Sequence, residues 1–216
     1  MLLPYDVWAV GGSRSLSPAG GALVQYVAGQ LLAARARLAV GCCTGADAAF
    51  IACAAGRGFA SRLWIFSAFG PVQTRADAVA AAGTCRSSAV SAVAAAKHAG
   101  AAIIPWAGGG PDLPLVARLR ARTTHVAYAA TAGGVIVCEG TWGVGSLLLA
   151  RALLSRGLVV VAMPVPGSLP PAPPPCGESW RSLRPLGWRG APVWVHGGLD
   201  AGGTPNFIAF DYHHGL

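Results

Sequence analysis

Charge is what this sequence has least of. Asp, Glu, Lys and Arg together make up 11% of its 216 residues, less than half the usual share of about 25%. With 54% apolar residues beside it, that shortage excludes an intrinsically disordered chain, which needs the opposite balance. It also excludes a long coiled coil, whose flanking positions carry charges. Long apolar runs are missing too. Mean hydropathy is high at +0.52, yet Gly, Pro or a charge cuts every apolar block short of the roughly 18 residues that mark a membrane span. The opening Met1-Leu2-Leu3-Pro4-Tyr5-Asp6 lacks a basic stretch followed by an apolar one, so no signal peptide is expected. The resulting expectation is a heavily buried cytoplasmic domain with no membrane contact.

Metal-ligand spacing is absent as well. The six cysteines form no C-x-x-C pair and no Cys/His set, so no metal is expected. Cys42, Cys43 and Cys138 read as small core residues. Lysine is nearly lacking: Lys97 stands alone beside fifteen arginines. The net charge is nonetheless +8, and arginine suits bidentate pairing with phosphate. A nucleic acid or nucleotide partner fits that balance. A GC-rich coding bias would leave the same scattered arginines, and no dense basic run decides between them.

What is present is an alternation of short apolar runs with helical periodicity. Strands are expected at 5–10, 38–42, 62–66, 101–106, 134–138 and 158–163. Between them, helices are expected from Ser17-Pro18 to about Arg35, over 48–55, 87–98, about 113–130 and 146–155. Ser17 reads as an N-cap with proline at the first helical position, and Gly56, Gly58, Gly100 and Gly157 as helix stops. Nearly all-apolar strands alternating with helices imply a doubly wound α/β fold, with a mostly parallel sheet and helices on both faces. Residues 1–164 make that domain. From Pro164 prolines crowd the chain, and 165–216 read as a Pro-rich linker and short C-terminal extension. Two short strand-like runs there, 191–195 and 207–210, can join the sheet edge or dock a partner.

In such sheets ligands gather at the carboxyl ends of the strands. Three loops at such ends are rich in glycine and hydroxyls. Gly11-Gly12-Ser13-Arg14 is read as the turn after the first strand, with a hydroxyl and a guanidinium for phosphate. It is neither a Walker loop nor a complete G-x-G-x-x-G, and no cofactor is expected. In Gly41-Cys42-Cys43-Thr44-Gly45-Ala46-Asp47, Thr44 reads as an N-cap and Asp47 as a first-turn carboxylate; equally, Gly45 and the free amides suit a phosphate or ribose. Glu139-Gly140-Thr141-Trp142-Gly143-Val144-Gly145-Ser146 sets three glycines before a helix, with Ser146 as cap or ligand. Glu139 ends a buried strand, where an unpaired carboxylate is costly, so a partner such as Arg122 or Arg14 is expected.

Taken together, the loops resemble the SLOG superfamily of Rossmann-like proteins, and within it the DNA-processing protein A family. That family reads roughly V-G-S-R, G-x-A-R-G-x-D, R-N-R-I-I-A and V-V-E-A with S-G-S-L-x-T-A. Val10 to Arg14 is similar to the first motif, and Gly41 to Asp47 shares both glycines and the aspartate of the second. Arg122 to Ala127 looks like the third, and Val137-Cys138-Glu139, then Gly145-Ser146-Leu147 and Ala150, keeps the spacing of the fourth. The likeness spans roughly residues 5–164. It departs at Thr44 and Thr124, where the family has arginine, and at Ile51, where it has histidine.

The resemblance implies a non-enzymatic protein that binds single-stranded DNA through its phosphates, with Arg14 and Arg122 as carriers and relatives that often form homodimers. The residues it points to are Gly12, Ser13, Arg14, Gly41, Thr44, Gly45, Asp47, Arg122, Glu139, Gly143, Gly145 and Ser146. The alternative is a binder or sensor of a nucleotide derivative in the same pocket. LONELY GUY-type phosphoribohydrolases are a second relative, but Leu149 stands where they keep a catalytic glutamate, and leucine can neither handle a proton nor stabilise an oxocarbenium ion. A third reading is a protein partner docked on the extension by Trp180, Trp188 and Trp194.

Overall fold

The computed structural model describes residues 6–70, 87–167, 180–182 and 193–196. Along these the strands are β1 (Val7–Gly12), β2 (Arg37–Val40), β3 (Leu63–Phe66), β4 (Ala102–Ile104), β5 (Gly133–Cys138), β6 (Val159–Pro164), β7 (Arg181–Ser182) and β8 (Trp194–His196). The helices are α1 (Pro18–Ala33), α2 (Ala46–Gly56), α3 (Ser87–His98), α4 (Leu115–Ala129) and α5 (Val144–Leu154). A single 3-10 turn, Ala60–Arg62, leads into β3.

The apolar strands are buried on both faces, and their two-residue period divides them between two cores. Trp8 and Val10 of β1, with Val135 and Val137 of β5, point into one core, where Leu23, Leu31, Phe50 and Val93 of α1, α2 and α3 pack. Val7, Ala9 and Ile136 point the other way, onto Val126, Leu149 and Leu153 of α4 and α5. Leu31, Phe50 and Leu153 are fully buried, and truncating such a residue to Ala costs about 2–5 kcal/mol. Glycines end three of the helices in the left-handed backbone that favours them, at Gly58, Gly100 and Gly157.

The sheet order is β4-β3-β2-β1-β5-β6-β8-β7. The first six strands run parallel, while β8 pairs antiparallel with β6 and β7 antiparallel with β8. This is the doubly wound α/β architecture expected from the alternation. Of the two strand-like runs in the extension, the first forms β8 and adds to the sheet edge, burying Val193 and Val195 in the core. The second, 207–210, lies outside the described residues. Trp180 packs on the sheet and meets His196 edge-on at 5.2 Å; Trp188 also lies outside the described residues. Among the described residues no helix is long and apolar enough to cross a membrane.

One boundary differs in a way that matters for the site. Gly11 and Gly12 were expected in a turn, yet they continue β1, pairing with Ile136 and Val137 of β5. The turn therefore begins at Ser13, at the end of β1 and on the cavity wall.

Candidate functional site

Connections reverse direction between β1 and β5. The helix that follows β1 packs into one core and the helix that follows β5 into the other, so their N-terminal ends diverge and leave a crevice at the carboxyl edge. A cavity of about 500 Å³ opens there. It is lined by Gly12, Ser13, Arg14, Gly41, Asp47, Arg122, Glu139, Gly143, Gly145 and Ser146, ten of the twelve residues expected from sequence. Thr44 and Gly45 are not in its wall.

Their absence has a steric cause. Gly45, not Thr44, is the N-cap of α2, at φ 75° and without a side-chain cap. A Cβ at Gly45 would overlap the Ser13 carbonyl oxygen, and that carbonyl accepts the Ala46 N–H at 2.9 Å. The second loop thus closes directly onto the first. Ser13 then ties the first loop to the third: its N–H donates to the Val137 carbonyl at 3.0 Å, its Oγ accepts the Glu139 N–H at 2.8 Å and donates to the Glu139 carbonyl at 3.2 Å. Three loops far apart in sequence become one rigid rim.

The floor is a buried ion pair. Arg122 Nη1 lies 3.4 Å from Asp47 Oδ2, and Nη2 donates to the Cys43 sulfur at 3.0 Å. Asp47 Oδ2 also accepts the Cys43 N–H at 3.1 Å. Gly41 makes room for this: a Cβ there would overlap Arg122 Nη1 and Asp47 Oδ2. Burial pushes the Asp47 carboxyl up to about 6, and the Cys43 sulfur adds to the rise; Arg122 and the Cys43 N–H pull it down, so it is still ionised at neutral pH. For Arg122, burial works against the charge, but Cys43 and Asp47 outweigh it and hold the guanidinium above its ordinary range. Its Nε is buried with no hydrogen-bond partner, a donor left over once the floor is built.

Glu139 does something other than expected. It meets neither Arg122, which is taken by Asp47, nor Arg14. Its Oε2 accepts the backbone N–H of Ser17 at 2.7 Å, while Ser17 Oγ accepts the Gly20 N–H at 3.2 Å. The N-terminus of α1, where an anion is favoured by free N–H groups and the helix dipole, already holds the protein's own carboxylate. Gly20 keeps that space open, since a Cβ would lie 2.6 Å from Glu139 Oε2.

The N-terminus of α5 is different. Gly143 caps it with no side chain, and no acidic residue stands in its first turn. The helix begins at Val144, so Ser146 is not the cap; it sits inside the first turn, buried, on the cavity wall. Arg14 is exposed at the mouth and has no ion-pair partner among the described residues. Leu149 also lines the cavity, 4% exposed and packed in the core, so the wall is apolar at this point.

Several participants were invisible in the sequence. Cys43 read as a core residue but is a partner of both Arg122 and Asp47, and Ser17 read as a cap but also holds Glu139. Thr123 and Thr141 add hydroxyl-bearing side chains to the wall; both lie in segments singled out from sequence, but neither was named there as a site residue. No protein-family model matches this chain, and no curated protein matches it.

Proposed function

We propose that this protein binds single-stranded DNA through its phosphates at the crevice between β1 and β5, with Arg14 at the mouth and the amide groups at the start of α5 as the anion seat. One observation carries the reading. The switch-point cavity gathers the exposed Arg14, the glycine-rich start of α5 and the Arg122 guanidinium. Free helix-start amides, a cation and a close backbone approach are what a phosphate requires. Among the described residues of the cavity wall, both carboxylates already have partners: Asp47 pairs with Arg122, and Glu139 Oε2 accepts from the start of α1.

The test compares two arginine variants in oligonucleotide titrations. Arg14→Ala removes a cavity cation; Arg181→Ala removes an exposed charge on β7, three strands beyond β5 in the sheet. Each phosphate released from a single strand lowers the log–log salt slope by about 0.7. Arg14→Ala is expected to weaken binding and flatten the slope by about that amount, with Arg181→Ala unchanged. Equal loss from both refutes the site and leaves diffuse charge.

A free nucleotide derivative as the ligand is a second reading, favoured by the cavity's size. About 500 Å³ falls within the roughly 300–1,000 Å³ of small-molecule sites. That reading predicts saturable mononucleotide binding that oligonucleotide length does not strengthen.

A further inference from the structure

A second feature lies on the same edge of the sheet, past the ends of β3 and β4. The Arg118 guanidinium sits over two rings, 5.0 Å from the Phe69 centroid and 5.7 Å from that of Trp106. Its Nη1 donates to the Ala68 carbonyl at 3.2 Å. The two loops are laced together, with Trp106 N–H donating to the Phe69 carbonyl at 2.8 Å and Ala107 N–H to that of Ser67 at 2.8 Å. All three side chains are half-buried, so each keeps part of its surface open to solvent.

Two independent observations mark this cluster as more than a loop clamp. Trp106 holds φ 49°, a left-handed backbone that is a genuine outlier for a bulky residue. Such conformations cost on the order of 1–3 kcal/mol and gather at ligand-binding sites. The cluster is also continuous with the phosphate cavity. Arg118 lies one helical turn before Arg122 on α4, about 6 Å along the axis, and Ala68, which Arg118 holds, also bonds the buried Cys42 next to the cavity residue Cys43.

We propose that Phe69, Trp106 and Arg118 form a base-stacking platform for single-stranded nucleic acid, taking a nucleobase of the strand whose phosphate occupies the cavity. The proposal rests on the phosphate-binding reading above and adds a base subsite to it. A ring face and a guanidinium plane accept any base, because every base presents a π-face. A neighbouring phosphate seat without such a platform would hold the strand by charge alone.

The experiment compares a labelled oligothymidylate with an abasic-spacer strand of the same length and phosphate number, in wild type, Trp106→Ala, Trp106→Phe and Phe69→Leu. Wild type is expected to bind the base-bearing strand at least about 5-fold more tightly than the abasic one, the lower end of what one stacked base contributes. Trp106→Ala and Phe69→Leu lose that preference while their affinity for the abasic strand and its salt slope stay as in wild type. Trp106→Phe keeps most of it. A preference that survives in a cooperatively folding Trp106→Ala or Phe69→Leu variant overturns the platform. Wild-type binding to the abasic strand with no base preference overturns the platform but leaves the phosphate site standing. Failure to bind either strand overturns both.

Discussion

Removing Arg122 exposes how the site floor is held. Arg122→Met keeps most of the side chain's length and apolar contact but strips the counter-charge from Asp47, which is buried. Breaking a buried pair by deleting one partner costs about 3–5 kcal/mol, because the remaining charge stays desolvated. At about 2–4 °C per kcal/mol for a chain of this size, that is a fall in Tm of roughly 6–20 °C. The cost is pH-dependent, and its sign follows from Asp47. Its folded pKa, about 6, lies above the ordinary 3.8, so between those values the folded state binds more protons than the unfolded one. Stability from this group is therefore fully present below about pH 3.8 and is lost as pH rises through about 6, a span of at most about 3 kcal/mol. Without Arg122 the carboxyl is pushed higher still. The penalty of Arg122→Met is then larger at pH 7 than at pH 5, where Asp47 takes up a proton and no longer needs a partner. Urea unfolding followed by circular dichroism at both pH values measures this, with Asp47→Leu and the double variant completing a cycle. The double variant is expected to be more stable than the sum of the singles by at least about 1 kcal/mol. Additive losses, or a penalty equal at pH 5 and pH 7, refute the reasoning.

Two further substitutions test the rim. Gly45→Ala forces a Cβ into a left-handed position against the Ser13 carbonyl, so a loss of at least about 1–3 kcal/mol is expected by thermal unfolding; an unchanged Tm contradicts the loop contact. Glu139→Ala removes the acceptor for the Ser17 N–H and is expected to cost about 1 kcal/mol in the same assay. Glu139→Gln keeps an acceptor there and costs less, whereas a Glu139 held by an arginine would make Gln nearly as damaging as Ala.

The element order was legible because buried parallel strands are written as unbroken apolar runs and helix ends as glycines. Gly100 and Gly157 stop their helices in left-handed backbone, and α3 spans the residues expected of it. The glycines of the first two loops were legible for a related reason, since close approach at Gly12, Gly41 and Gly45 leaves no room for a Cβ; Gly143 and Gly145 of the third loop have open space there. Partnerships across the fold were not. Asp47 and Arg122 are 75 residues apart and Glu139 and Ser17 are 122 apart; each meeting depends on a sheet order that places β5 beside β1. Thr44 failed as a cap because the Ser13 carbonyl reaches the start of α2 first and leaves space only for Gly45. Phe69, Trp106 and Arg118 carry no shared motif, and only the adjacency of β3, β4 and α4 gathers them.

The most direct measurement is an equilibrium titration of wild-type protein with a labelled single-stranded oligonucleotide at two salt concentrations, with mononucleotides as competitors. The phosphate-site account predicts binding that weakens with salt by about 0.7 in log–log slope for each phosphate held and that mononucleotides barely displace. Absence of oligonucleotide binding at low salt, with the protein instead stabilised against heat by one mononucleotide, contradicts it and assigns the cavity to a free nucleotide.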